Sequence, residues 1–398
     1  MNDGLEEILS QGRCIVCVGP GGVGKTSTAG ALAVECASRS YRTIVLTIDP
    51  ARRLANALGL PEIGNLEKTI EPEAFSVHGL EPPQGRLSAM MLDIKEAWDD
   101  VVQRYHPDPS RREQLFENPM YQALSTALAG SQEYMAMEKL YQLSVREEDR
   151  LDRIVLDTPP ANHAVDFLDA PNRIIGALSN DATKWFLQPF RQAGPKTMSR
   201  RLLDAGSGFF VRTISRLTGT ELLEQLAVLL EGFQAMLDGF EARAEAVQAL
   251  LSSEETRFIV VSGSDSEGLK NATAFARKLH ERGARLSAMI LNRGHLGVSE
   301  VPSGAEAALR ARLSDAGWSS DRVERVLEIA AVEQRKAEEE AERAREVSDA
   351  FGIPVLRVPE LPRDVADLGG LADIRGYLVP GAPISPPALK AEEEARGA

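Results

Sequence analysis

The sequence predicts an α/β fold, a doubly wound and mostly parallel sheet with a helical subdomain inserted into it. Three observations predict it. Short β-branched runs recur along the chain: RTIVLTID (42–49), LDRIVLD (151–157), TRFIVVSG (256–263), RLSAMILNR (285–293) and IPVLRVPE (353–360). They are apolar throughout rather than alternating, as strands buried on both faces are, and stretches of helical pattern separate them. Near the start, the apolar run CIVCV (14–18) ends in glycines and passes into helix-forming residues from Lys25.

The elements follow in order. The opening MNDGLEEILSQ is acidic and lacks a charged-then-apolar leader pattern. In the first strand Cys14 and Cys17 are three residues apart, so they point to opposite faces and cannot share a metal. Cys36 lies in the helix that follows. Three cysteines are too few for a disulfide framework, and all three read as buried structural thiols. LSAMMLD (87–93) is a candidate further strand. Residues 94–145 read as helices, and so do residues 166–251, which contain IIGAL (174–178), WFLQPF (185–190) and GFFVRTI (208–214). Within the second stretch Leu222, Leu226, Leu229, Phe233, Met236 and Phe240 recur at four-three spacing, a wide apolar face on one helix. That face either packs within a helical layer or receives an apolar client. Residues 319–350 read as a long, charged, solvated helix, and the Pro-rich segment from Pro380 as a disordered tail. The expected organisation is a discontinuous core (11–165 and 252–380, with 94–145 largely helical), a helical subdomain (166–251) and a tail (381–398).

With 398 residues, 43% of them hydrophobic, the chain can bury a large core. A net charge of −14 argues against broad nonspecific nucleic-acid binding, which rests on phosphate neutralisation. No apolar run approaches the length of a membrane span. A soluble, cytoplasmic protein is expected.

The glycine loop admits two readings. Gly19, Gly21 and Gly24 spell G-x-G-x-x-G, and Asp49 closes the next strand, which suits a dinucleotide fold. Residues 19–26 also satisfy G-x-x-x-x-G-K-T. Lys25 and Thr26 decide between them. A dinucleotide needs neither, whereas a triphosphate needs a cation on its β- and γ-phosphates and a hydroxyl on Mg²⁺. The glycines let backbone N–H groups wrap phosphates at a helix N-terminus. This is a nucleoside-triphosphate loop, and with no internal repeat one site per chain is expected.

Three strand ends complete the candidate site. Asp49, in TIDPA, is placed to orient or deprotonate an attacking water, and before Pro50 it equally suits a helix N-cap. Asp157 is placed to hold Mg²⁺ through water. Thr158 and two prolines then stiffen the exit toward the helices, and His163 is either a contact to that switch or a structural hydrogen-bonder. Asn292, in ILNR, either reads an adenine edge or sits in a turn.

Together GPGGVGKTS, TIDPARRL, DTPPANHA, ILNR and VPELPRDV resemble the ArsA-type ATPases in order and spacing, across residues 12–378. That family includes the arsenite-pump ATPase and the ATPase that targets tail-anchored membrane proteins. MMLDIKEAWDD and AGSQEYMAMEKLY resemble a bacterial branch. The resemblance implies that Gly21, Gly22, Val23, Gly24, Lys25, Thr26 and Ser27 form the phosphate loop, with Lys25 on phosphate and Thr26 on Mg²⁺. It implies that Asp49 activates water, Asp157 is the Walker B acid, His163 belongs to the second switch and Asn292 contacts adenine. Pro359 to Arg363 resemble the adenine-covering segment, and residues 166–251 the layer that forms a client groove.

Departures qualify the resemblance. Family members usually carry a lysine where this chain has Pro20, and that lysine reaches the partner subunit's nucleotide. Arg52 and Arg53 replace the usual His-Asn and are candidates for the missing cation. Counterparts of the arsenite-binding cysteines and of the zinc-clamping C-x-x-C after Asn292 are missing, so neither arsenite nor zinc is expected. The resulting expectation is a dimeric, Mg²⁺-dependent ATPase that binds ATP and controls a hydrophobic protein client or membrane-protein partner. The alternatives are a slow nucleotide switch paired with a paralogue and, less favoured, the energising subunit of an anion pump. A partition-type ATPase is disfavoured by the acidic charge.

Overall fold

The computed structural model describes residues 3–49, 53–127, 131–159, 167–173, 175–176, 220–295 and 305–379. His163, Arg52, residues 177–219 and the tail from Pro380 lie outside them. Among the described residues one sheet contains eight strands. These are β1 (Cys14–Val18), β2 (Arg42–Thr47), β3 (Lys68–Thr69), β4 (Arg86–Met91), β5 (Arg153–Asp157), β6 (Thr256–Gly263), β7 (Leu286–Gly294) and β8 (Val355–Pro359). Their order is β3-β4-β2-β5-β1-β6-β7-β8. All neighbours run parallel except β3, which pairs antiparallel with β4. The doubly wound α/β class is therefore the observed one.

The strands coincide with the apolar runs, with two differences. β2 stops at Thr47, two residues short of the sequence expectation, and the Ile48 N–H makes the last ladder bond to the Asp157 carbonyl at 3.0 Å. β3 has only two residues, both exposed, and so carries no apolar signal.

Both faces of the sheet are covered. On one, α1 (Asp3–Gln11), α2 (Lys25–Ser38), α3 (Arg53–Ala57), α4 (Pro72–Ser76) and α13 (Leu368–Leu378) pack over Ile15, Cys17, Val45 and Val155. On the other, residues of α5 (Ile94–Tyr105), α6 (Pro109–Glu117), α7 (Pro119–Ala127), α8 (Ser131–Ser144), α9 (Thr220–Leu251) and α10 (Ser266–Glu281) pack over Cys14, Val16 and Ile44. Cys14 and Cys17 thus face opposite layers, as strand geometry requires.

In α9, Leu229, Met236 and Phe240 from the apolar stripe are buried with Trp98, Leu115 and Tyr121. The Trp98 and Phe240 rings meet edge-on, centroids 6.3 Å apart. These positions pack within the helical layer; the side chains of Leu222, Leu226 and Phe233 lie outside the described residues. The long helix α12 (Ser320–Phe351), against which α11 (Ala305–Asp315) packs, differs from the solvated rod expected. Its Ala337, Glu340, Ala344 and Val347 are buried because the helix packs on β7 and β8, and Glu340 there accepts from the backbone N–H of His295 at 2.9 Å. No helix among the described residues is long and apolar enough to cross a membrane.

Helix α13 is fastened to α2 by charge. The Glu35 carboxylate accepts from Arg375 Nε and Arg39 Nε, each at 2.6 Å, with Glu35 and Arg375 side chains only 7% and 13% exposed. Removing Arg375 strips one charged donor from a buried carboxylate. Arg375→Ala is expected to destabilise the fold by about 1–3 kcal/mol. A urea midpoint unchanged from wild type would show the pair to be energetically idle.

Candidate nucleotide site

The loop between β1 and α2 is built around backbone that side chains cannot follow. Gly19 has φ of 152°, and a Cβ there would lie 2.0 Å from the Val261 carbonyl oxygen of β6. Gly24 caps α2 at φ of 91°, and its Cβ would lie 2.1 Å from the Asn292 amide nitrogen. Both positions require glycine. Helix α2 has no acidic residue in its first turn and no side-chain cap, so its first N–H groups face the loop with their positive dipole end uncompensated.

Topology brings the acids to this loop. β5 lies between β1 and β2, in a register that sets Asp157 beside both Cys17 and Thr47. Its buried carboxylate accepts, on Oδ2, from Thr26 Oγ1 at 2.7 Å and Thr47 Oγ1 at 2.9 Å. Oδ1 is buried and has no hydrogen-bond partner among the described residues. Burial pushes the carboxyl up from an ordinary 3.8 to about 6; the two hydroxyls and Lys25 pull the other way, and Asp49 adds to the rise. A hydroxyl beside a buried carboxylate with one unengaged oxygen fits a hard divalent cation.

Lys25 Nζ donates to the Pro20 carbonyl at 2.8 Å, folded back along its own loop. Burial lowers its pKa, opposed by the charges of Asp157 and Asp49 and reinforced by Arg53. Arg53 is exposed at the start of α3. The Asp49 N–H donates to Thr47 Oγ1 at 3.3 Å, and the preceding Ile48 carbonyl accepts from Gln132 Nε2 of α8 at 2.7 Å. Asn292 closes the other side, its amide donating to the Val23 carbonyl at 2.8 Å. Pro359 is buried at the end of β8, in register with Gly294 and one strand farther out.

The structure therefore brings together the loop from Gly21 to Ser27, Asp49, Asp157 and Asn292, and sets Pro359 at the rim beside β7. Thr47 and Gln132 were not singled out in the sequence. Thr47 left one trace, a hydroxyl ending an otherwise apolar run. Gln132 left none.

The model of the anion-transporting ATPase family matches residues 12–303. The chain belongs to this family. Among its relatives, an ATPase GET3 of Malassezia globosa is 29% identical over 177 residues, 44% of this chain and 48% of that protein. The ATPase ARSA1 of Chlamydomonas reinhardtii is 24% identical over 328 residues, 78% of this chain and 38% of that protein. A putative arsenical pump-driving ATPase of Prosthecochloris vibrioformis is 28% identical over 186 residues, 44% of this chain and 40% of that protein. The matched stretch covers less than half the length of each of these relatives.

The raised pKa of Asp157 has a consequence for stability. The folded protein holds this proton more tightly than the unfolded chain, so the group favours folding at about pH 4 and withdraws that support as pH rises through about 6. In nucleotide- and Mg²⁺-free protein, Asp157→Asn is expected to be more stable than wild type above that window by about 1–3 kcal/mol. Urea midpoints across the window measure the difference. A gap that stays constant with pH would contradict a raised pKa.

Proposed function

We propose that the protein is a Mg²⁺-dependent ATPase whose nucleotide cycle, run as a dimer, controls a protein or membrane-protein partner. The observation that carries this reading is the Thr26–Asp157 contact beneath a glycine loop that ends in Lys25. ATP would lay its phosphates across the N–H groups from Gly21 to Ser27, with Lys25 exchanging the Pro20 carbonyl for phosphate oxygen. Thr26 and Asp157 would hold Mg²⁺, which when bound neutralises phosphate charge. Asp49, at the mouth of the loop, would orient and deprotonate the attacking water. Asn292, whose amide donates to the Val23 carbonyl, would contact the base, and the Pro359 rim would cover it. The chain's similarity to an ATPase GET3 and to putative arsenical pump-driving ATPases supports an ATPase working with a partner.

Pro20 favours a second reading, a slow nucleotide switch paired with a lysine-bearing paralogue. A proline supplies no cation to a partner's nucleotide, and the exposed Arg53, whose charge reaches Lys25, is a candidate to do so. The pump reading is weakened by the thiols. Cys14, Cys17 and Cys36 are all buried, and burial pushes Cys14 and Cys36 up to about 12, so they stay protonated and closed to a metalloid.

Binding and turnover are expected to separate. Lys25→Ala weakens ATP affinity by about tenfold or more through loss of a phosphate cation, whereas Asp49→Asn keeps affinity and loses turnover by about 10²-fold or more. Nucleotide titration beside steady-state hydrolysis checks both, and wild-type turnover by Asp49→Asn would remove that residue from the mechanism. Pro20→Lys is expected to speed hydrolysis by the pure protein. An unchanged or lower rate in a folded Pro20→Lys protein would argue against a cation deficit at this position.

A further inference from the structure

Helix α8 touches the candidate site at one end and the helical layer along its length. In its first turn Gln132 Nε2 donates to the Ile48 carbonyl at 2.7 Å. That carbonyl belongs to the peptide joining Ile48 to Asp49. The Ile48 N–H is held by the Asp157 carbonyl at 3.0 Å, and the Asp49 N–H by Thr47 Oγ1 at 3.3 Å. Gln132 is therefore the contribution of the helical layer to the backbone from which Asp49 projects, and rotating that peptide would break its bond.

Farther along α8, about 9 Å by helical rise, Glu138 Oε2 accepts from Arg243 Nε of α9 at 2.7 Å. The two side chains are 1% and 6% exposed. The guanidinium lies over the Tyr105 ring at 3.8 Å and the Phe240 ring at 4.8 Å. Gly239 leaves room for it, since a Cβ there would meet Arg243 Nη1 at 2.4 Å. Separating α8 from α9 would strand two charges out of water, so the helices shift as one body.

We propose that Gln132 is a positioning residue for Asp49, and that through α8 the hydrolytic geometry depends on how α9 is packed. The proposal rests on Asp49 acting as the hydrolytic base. Anything that displaces α9 then changes turnover.

The test is Gln132→Leu, which keeps the side chain's bulk and removes its donor. Turnover is expected to fall about three- to tenfold, the worth of one hydrogen bond, with ATP affinity within about twofold of wild type. Amide exchange at Ile48 and Asp49 should quicken. Glu138→Gln should alter turnover in the wild-type background but have little further effect in Gln132→Leu, since both act through one helix. Arg243→Lys, which keeps the charge and loses the ring stacking, replaces Glu138→Gln should that variant fail to fold. Full turnover in folded Gln132→Leu, or independent effects in the double variant, would overturn the proposal. Asp49→Asn run in parallel separates the two readings. If it retains turnover, the hydrolytic role of Asp49 falls and the positioning role with it; if it loses turnover while Gln132→Leu does not, the positioning role alone falls.

Discussion

Asp157 ends the strand that lies between β1 and β2, and its carboxylate is buried while accepting from a threonine on either side, Thr26 and Thr47. A carboxylate held out of water is costly unless its lone pairs are engaged, and among the described residues one oxygen is engaged twice and the other not at all. The parallel register sets this arrangement. Only with β5 between β1 and β2 do a residue of α2 and the last residue of β2 converge on the same acid. The glycine loop is placed by the same constraint, because Gly19 must pass within contact of Val261 on the strand to the other side of β1.

From that acid the site extends through backbone rather than side chains. The Asp157 carbonyl receives the Ile48 N–H, and Thr158 Oγ1 donates to the Cys17 carbonyl at 2.8 Å, so the three strand ends are stitched together just where the chain leaves the sheet. Asp49 departs from this stitched edge. Lys25, resting on the Pro20 carbonyl, shows a loop that satisfies its own cation internally. A phosphate would have to compete with one neutral carbonyl, a weaker partner than an anion for a partly desolvated ammonium.

The fold was readable in the sequence where local chemistry sets it. β-branched runs buried on both faces give strands in any context, and the glycines at 19 and 24 advertise backbone that no other residue adopts. β3 was hidden because two exposed residues carry no pattern. The charged surface of α12 pointed to a solvated helix, whereas packing on β7 and β8 buries Glu340, which His295 satisfies, its ring Nδ1 2.7 Å from the carboxylate. Within the candidate site, Lys25, Thr26, Asp49 and Asp157 were visible because each sits at a strand or loop end. Thr47 gained its role from the register beside β5. Asn292 was visible as a strand end, but its partner Val23 lies 269 positions away. Gln132 reaches a carbonyl 84 positions away from the interior of a helical stretch, a contact that only tertiary packing creates.

The helical layer uses a charged pair where apolar residues would pack as well. Glu138 and Arg243 sit among Trp98, Phe240 and Met137, in a core already rich in apolar area. A buried ion pair contributes little net stability over a well-packed apolar pair, because desolvation offsets most of the attraction. It does penalise misalignment heavily. A slide of α9 by one turn along α8 would cost an apolar contact little, since Leu, Met and Phe repack, but would leave both charges unpaired in a dry interior. The pair therefore holds α8 and α9 in a single register. A layer with that property transmits a displacement along its helices instead of dissipating it by local repacking.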